Sequence, residues 1–375
     1  MIDTIIIAIP RNKVIVLDEA GHGVPDWDLQ SRTGNYRKYV KNPSAKDKAS
    51  GLYFPCLTGY HRKSGEREWT AMLKIEFSAP KLLFNNNLDE LADNQFSAVV
   101  DALLDRLERL GVRVQRPDIE SAEIRAIHYS KNIELIGGYT SQYVISELSK
   151  INLNKRFDLT KTRFMNDGQS LYGYTKAHSF VIYDKVADLK KNPKRAIDKA
   201  QSSYQMGLFA SLNDTREFLR LEVRLSEKRK LNKVFKTLGF SENPTFKEAF
   251  ATKISQTVVQ HYWDTMIEKN SLLLFSHSIT AKDLLKQILL VSHQIKGKTA
   301  IYLTGLLLLA REGSGLRELR TTLAKRSNDR LWYRLYSDLT ETTAKLNELR
   351  PREWYDQVKR ALVGYKPIHI GKVAL

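Results

Sequence analysis

The stretch Phe218-Leu219-Arg220-Leu221-Glu222-Val223-Arg224-Leu225 alternates apolar and charged side chains without a break. That is the period-two pattern of a strand with one buried face. Leu219, Leu221, Val223 and Leu225 take one face, and Arg220, Glu222 and Arg224 the other, with successive charges about 7 Å apart. Three charges in a row are costly unless water, one another or a ligand satisfies them. An exposed sheet face is the plain reading. The chemical reading makes Glu222 a ligand for Mg²⁺ or Mn²⁺ and the two arginines clamps for phosphate, matching the preferences of hard cations and phosphate oxygens.

Upstream, residues 121–129 and 179–184 read as further strands. Leu73, Ile75 and Phe77 alternate with Lys74, Glu76 and Ser78 in the same way. The first 75 or so residues read as short strands and loops, with a polar, basic stretch over 31–50. Residues 89–110 carry Phe96, Val99, Val100, Leu103, Leu107 and Leu110 at helical spacing, and Gly111 supplies a stop. Beyond about residue 230 the period becomes helical, over 246–267, 281–294, 299–311 and 329–349. The expectation is an α+β chain. Residues 1–230 form an antiparallel sheet with flanking helices, and residues 231–375 a smaller helical accessory domain that binds DNA.

Lys and Arg number 60 against 42 Asp and Glu, a formal net charge of +18. Such a surplus suits nucleic acid or an anionic membrane, although charge alone also fits a solvated basic surface. The apolar run Ile5-Ile6-Ile7-Ala8-Ile9 has no basic region before it, and Asp3 and Pro10 argue against a secretory signal. Leu306-Leu307-Leu308-Leu309 stops at Arg311, short of the roughly 20 residues that span a bilayer. With Cys56 alone there is no intrachain disulfide and no cysteine-based zinc site. The reading is a protein of a reducing cytoplasm, without a membrane partner, whose charge faces nucleic acid.

Two further places carry chemistry. Ser170-Leu171-Tyr172-Gly173-Tyr174 precedes Ser179-Phe180-Val181-Ile182-Tyr183-Asp184-Lys185. A tyrosine can attack a DNA phosphate when a metal and nearby cations stabilise the developing charge. Tyr183 ends a strand, and Lys185 shares its face if the strand continues; taken alone, Tyr-Asp-Lys is an ordinary surface turn. His128 follows Ile124 and Ala126 on what reads as an apolar face, where a histidine is more often core than ligand. Gly297-Lys298-Thr299 lacks the glycine five residues earlier that a P-loop needs, since Ser292 stands there. No His-Glu-x-x-His, Gly-x-Ser-x-Gly or His-hydrophobe-His pattern occurs.

In this order the segments resemble the rolling-circle replication initiators of filamentous and satellite phages, the gene II / gene X family with its Cri-type members. The resemblance lies in Met1-Ile2-Asp3 and in Glu76-Phe77-Ser78-Ala79-Pro80-Lys81-Leu82-Leu83 with Asn86-Asn87 behind it. It continues in Tyr183-x-Lys185-x-x-Asp188-Leu189 and in the strand Arg220-x-Glu222-x-Arg224. Residues 302–336, with Arg330-Leu331-Trp332-Tyr333-Arg334, are similar to the family's accessory helical region. Two places depart from the family pattern. His128 stands where an aspartate is often found, and Asp188 replaces a glutamate.

The resemblance implies a palm-like antiparallel nickase sheet in which Tyr183 is the nucleophile, assisted by Lys185. Glu222 and His128 would hold Mg²⁺ or Mn²⁺. Arg220, Arg224, Lys81, Lys131, Arg330 and Arg334 would bind phosphate or DNA. The implied activity is origin-specific nicking of single-stranded or hairpin DNA through a 5′-phosphotyrosine intermediate, in the cytoplasm of a bacterial host, with a host helicase and polymerase as partners. A non-catalytic origin- or operator-binding protein is the alternative, with its C-terminal helices in the major groove. A tyrosine recombinase would need an Arg…His-x-x-Arg…Tyr set that His61-Arg62 does not supply, and no RNA-recognition signature occurs.

Overall fold

A computed structural model describes residues 1–17, 23–24, 31–33, 36–63, 69–149, 162–165, 169–189, 216–268, 280–292, 294–313, 315–324, 329–347 and 353–369. The strands are β1 (Ile2–Pro10), β2 (Val14–Leu17), β3 (Gly23–Val24), β4 (Ser31–Thr33), β5 (Tyr36–Lys41), β6 (Cys56–Lys63) and β7 (Trp69–Ser78). They continue with β8 (Val112–Val114), β9 (Glu123–Leu135), β10 (Thr162–Met165), β11 (Ser170–Tyr174), β12 (His178–Asp184) and β13 (Glu217–Leu225). Ten of them build one antiparallel sheet in the order β10-β11-β12-β13-β9-β1-β7-β6-β5-β4, and β3-β2-β8 form a small second sheet. The chain is α+β, as expected.

The isoleucine run Ile5-Ile6-Ile7-Ala8-Ile9 is part of the strand β1, in the middle of the large sheet between β9 and β7. Alternation puts Ile5, Ile7 and Ile9 on one face with Leu73, Ile75, Phe77, Ile127, Tyr129, Leu219, Leu221 and Val223, all essentially without solvent exposure. Each such side chain contributes about 1.5–3 kcal/mol on burial. The helices that cover this face supply Val99, Leu103, Phe235, Val259, Trp263 and Val358.

That core does not end at residue 230. The helices Lys228–Thr237, Thr252–Met266 and Glu353–Gly364 belong to it, so the expected boundary between 1–230 and 231–375 is not a break in packing. A second apolar cluster is built by Leu284, Ile288, Leu303, Leu307, Trp332 and Leu339, from the helices Ala281–Val291, Gly297–Leu309 and Asp329–Asn347. The helical period after residue 230 is correct; periodicity shows that a face is buried, not which core buries it.

Other boundaries move for local reasons. The helix expected over 89–110 is Phe96–Arg109, after a short 3-10 turn at Asp93–Gln95. Glu90 lies outside it because its carboxylate accepts the backbone N–H of Asn132 at 2.6 Å and that of Ile368 at 3.1 Å. Gly111, at φ 74°, follows the helix in the left-handed conformation that glycine tolerates. The segment 246–267 divides into Phe246–Ala249 and Thr252–Met266, where Ala251 takes a non-helical ψ of 126°.

Candidate active site

Strand pairing sorts the side chains opposite the core into rows. Tyr183 stands opposite Arg220, and Arg220 opposite Asn132. The next rows are Val181, Glu222, Ser130 and then Ser179, Arg224, His128. On β11 the same rows continue as Ser170, Tyr172 and Tyr174. The face with the Arg-Glu-Arg pattern is therefore also the tyrosine's face.

His128 reaches this face through an irregularity. Between β1 and β9, Ile7 pairs with Ile124 but Ile6 pairs with Ala126, so one extra residue shifts the alternation. Ile124 consequently points into the core, and His128 points away from it with a quarter of its side chain exposed. The apolar surroundings expected from Ile124 belong to the other face.

At the centre, Tyr183 Oη donates to Glu222 Oε2 at 3.0 Å. The second carboxylate oxygen, Oε1, accepts Arg224 Nε at 2.8 Å and lies 3.5 Å from His128 Nδ1. Glu222 itself is 2% exposed, whereas a third of the Arg224 side chain is accessible. Burial alone would push the Glu222 carboxyl up, but Arg224, His128 and Arg220 outweigh it and hold the group well below the usual carboxylate range. Burial, with a smaller contribution from Glu222, raises the Tyr183 phenol well above its ordinary value. The resting pair is a protonated phenol hydrogen-bonded to a carboxylate.

Arg220 has a different role from the one its strand position suggests. It is 1% exposed, and both of its terminal nitrogens are engaged. Nη2 lies 2.8 Å from Asp3 Oδ1 and donates to Ser130 Oγ at 2.8 Å, while Nη1 donates to the Asn87 carbonyl at 2.6 Å and to Asn132 Oδ1 at 3.2 Å. It is a buried strut that fixes β13 against β1 and β9, with its charge beneath the site rather than open to phosphate.

Lys185 does not continue the strand. β12 ends at Asp184, whose Oδ1 accepts the backbone N–H of Ala187 at 2.9 Å and so starts the helix Lys185–Leu189. The turn carries Lys185 Nζ to 3.0 Å from Asn87 Oδ1 and 5.7 Å from the centre of the Tyr183 ring. Burial and then Arg220 lower its pKa to about 8.

The remaining cations lie elsewhere. Lys131 faces the core side of β9, buried, with Nζ 2.5 Å from Glu90 Oε2 and 2.9 Å from the Lys366 carbonyl; this is an internal ion pair, not a phosphate contact. Lys81 is 3% exposed in the helix Ala79–Phe84, with Nζ 5.7 Å from the Tyr53 ring centre, so it too is not a surface cation. Arg330 and Arg334 are exposed one helical turn apart on Asp329–Asn347, whose Trp332, Leu335 and Leu339 are buried in the second apolar cluster.

Mg²⁺ and Mn²⁺ prefer oxygen donors, and Mg²⁺ is usually held by one or two carboxylates with substrate phosphate and water completing its shell, whereas imidazole nitrogen suits softer divalent ions. Glu222 fits that pattern, and His128, with Nδ1 3.5 Å from Oε1, would be a nitrogen donor beside it. Among the described residues no group of three or more His, Cys, Asp or Glu gathers as a self-sufficient metal centre.

Asp3, Asn87, Ser130 and Asn132 hold the site, although the sequence reading gives none of them a role in it and counts Asp3 and Asn87 toward the resemblance. Asp3 did leave a signal in the sequence: it is a carboxylate inside an isoleucine strand, and it needed a cationic partner. Comparison with protein-family models, curated proteins and solved structures finds no match to this chain. Among the described residues no helix is long and apolar enough to cross a membrane.

Proposed function

We propose that the chain nicks and transfers DNA strands at a replication origin, with Tyr183 as nucleophile. The observation that carries this reading is a buried tyrosine hydroxyl 3.0 Å from an ionised glutamate, beside a partly exposed arginine on the same carboxylate. In this reading the antiparallel sheet is the palm of a rolling-circle nickase, and the helices of the second apolar cluster, with Arg330 and Arg334, are its accessory DNA-binding region.

Tyr183 Oη attacks the scissile phosphorus and passes its proton to Glu222 Oε2. The bond from phosphorus to the 3′ oxygen breaks, and that oxygen takes a proton from solvent. The products are a 5′-phosphotyrosine and a free 3′-hydroxyl that a host polymerase extends after a host helicase opens the duplex. The phosphotyrosine retains the phosphodiester bond energy, so religation needs no nucleotide triphosphate.

Arg224 links substrate binding to this proton transfer. Its salt bridge is the largest influence keeping the Glu222 carboxyl acidic. A phosphate that draws the guanidinium away removes the largest of the influences that keep the carboxyl acidic, leaving His128 and Arg220 to oppose burial, so the base strengthens when the substrate arrives. Arg224 then neutralises the phosphate, with the buried charges of Lys185 and Arg220 beneath. Glu222 and His128 would hold a bound Mg²⁺ or Mn²⁺, which would supply positive charge at the phosphoryl oxygens; a carboxylate so engaged is no longer the proton acceptor, and the phenol proton would then pass to solvent.

The test is incubation with a labelled single-stranded origin hairpin and Mn²⁺, followed by denaturing electrophoresis. A covalent protein–DNA adduct is expected, and its absence under all divalent conditions would leave the non-catalytic origin-binding alternative.

A further inference from the structure

Tyr172 and Tyr174 stand two residues apart on β11, so both point to the face that carries Tyr183, Glu222 and Arg224. Both are half-buried, and their ring centres lie 5.3 Å apart with planes tilted by 33°. The Arg224 guanidinium carbon sits 5.8 Å from the Tyr172 ring centre while Nε of the same residue holds Glu222. One guanidinium thus joins the aromatic pair to the carboxylate that serves Tyr183. Tyr172 pairs with Val181, two residues before Tyr183, and this diagonal relation across neighbouring strands spans about 7–8 Å.

We propose that Tyr172 and Tyr174 are a stacking platform for unpaired bases beside the phosphate that Tyr183 attacks, so that the site takes single-stranded rather than duplex DNA. The inference rests on the nicking reading for the identity of that phosphate. Aromatic side chains next to a cationic guanidinium are the usual means of holding single strands, because every base has a π-face to stack. Bases inside a duplex are already stacked on one another and cannot use such a surface. The platform is tolerant of sequence, and recognition of a particular origin falls to other parts of the chain. Arg224 connects the two functions: an incoming strand that stacks on Tyr172 brings its phosphate to the guanidinium that controls Glu222.

The experiment uses the full chain and single-stranded oligonucleotides with 2-aminopurine at successive positions around the cleavage site. Wild type should quench the fluorescence at one or two adjacent positions. Tyr172→Ala and Tyr174→Ala should each remove that quenching and weaken binding about tenfold, whereas Tyr172→Trp should restore both. Affinity for blunt duplex DNA should be unchanged. Tyr172→Leu keeps the apolar bulk and serves if the alanine variants melt early. Quenching that is absent in wild type, or retained in every non-aromatic variant, overturns the platform. Adduct formation is followed in the same samples: an adduct without quenching defeats the platform alone, while quenching without any adduct upholds the platform and defeats the nicking reading.

Discussion

Tyr183 and Glu222 stand on neighbouring strands of the large sheet, and the phenol donates to the carboxylate at 3.0 Å although the two are not opposite each other in the ladder. Tyr183 pairs with Arg220, and Glu222 pairs with Val181. The hydrogen bond is therefore a diagonal one. It leaves Oε1 of Glu222 to Arg224 and His128, so one carboxylate joins phenol, arginine and imidazole.

The two arginines of β13 should separate cleanly on substitution. Arg220→Met strips Asp3 of its buried partner, and breaking such a pair costs about 3–5 kcal/mol. A large fall in melting temperature is expected, partly recovered in Asp3→Asn/Arg220→Met. Arg224→Gln takes a partner from the buried Glu222 carboxylate, but the lost side chain is a third exposed and His128 and Arg220 remain near the carboxylate; melting should fall by less than in Arg220→Met while cleavage drops by about two orders of magnitude. Equal melting of the two single variants would contradict the division into strut and phosphate ligand.

The pH dependence follows from Lys185. Its pKa is lowered from 10.5 to about 8 by burial and Arg220. The cost of its buried charge is thus fully present below about pH 8 and relieved as pH rises from there toward 10.5, so this group makes the fold more stable with pH in that window. Cleavage should run the opposite way, declining as Lys185 loses its proton near pH 8. Lys185→Arg should move that decline upward in a pH–rate profile. An unmoved decline would assign it to another group.

Glu222→Gln keeps the shape of the side chain and removes its charge. Cleavage should be abolished with affinity for the origin close to wild type. His128→Asp is a gentler change, because the imidazole is a quarter exposed and away from the core. Circular dichroism melts should fall modestly without metal, because a second carboxylate then stands beside Glu222, and recover with it, while metal-dependent cleavage should persist with preference shifted from Mn²⁺ toward Mg²⁺. Loss of folding in His128→Asp would return His128 to a structural role.

The net charge of +18 should appear as salt dependence. Neutralising about six phosphates gives a log–log slope of roughly −4 to −5, close to three orders of magnitude in affinity for a fourfold rise in salt. A flat response in a filter-binding titration would point to a protein partner instead.

Strands were legible where the alternation is unbroken, as at 218–225, because period two follows directly from the pleat; the strand expected over 121–129 runs on to Leu135 through the polar residues Ser130, Lys131 and Asn132. Less of the site could be read. The bulge between β1 and β9 moved His128 to the opposite face from Ile124, and nothing in Ile124-Arg125-Ala126-Ile127-His128 marks which residue is the extra one. Lys131 and Lys81 looked like surface cations because their counter-partners are far away in sequence: Glu90 for Lys131, and the Tyr53 ring beside Lys81. Likewise Arg220 shares its pattern with Arg224, and its contacts with Asp3, Asn87, Ser130 and Asn132 make it a strut.

In the proposed reaction the Tyr183 hydroxyl forms the bond to DNA. Wild type and Tyr183→Phe are each incubated with single-stranded origin DNA labelled on the 3′ side of the cleavage point, with Mn²⁺, and the adduct is digested and sequenced by mass spectrometry. The account predicts a 5′-phosphotyrosine at Tyr183 in wild type and none in Tyr183→Phe, with binding of the same oligonucleotide retained. A full-strength adduct in the phenylalanine variant, carried by Tyr172, Tyr174 or any other residue, would contradict it.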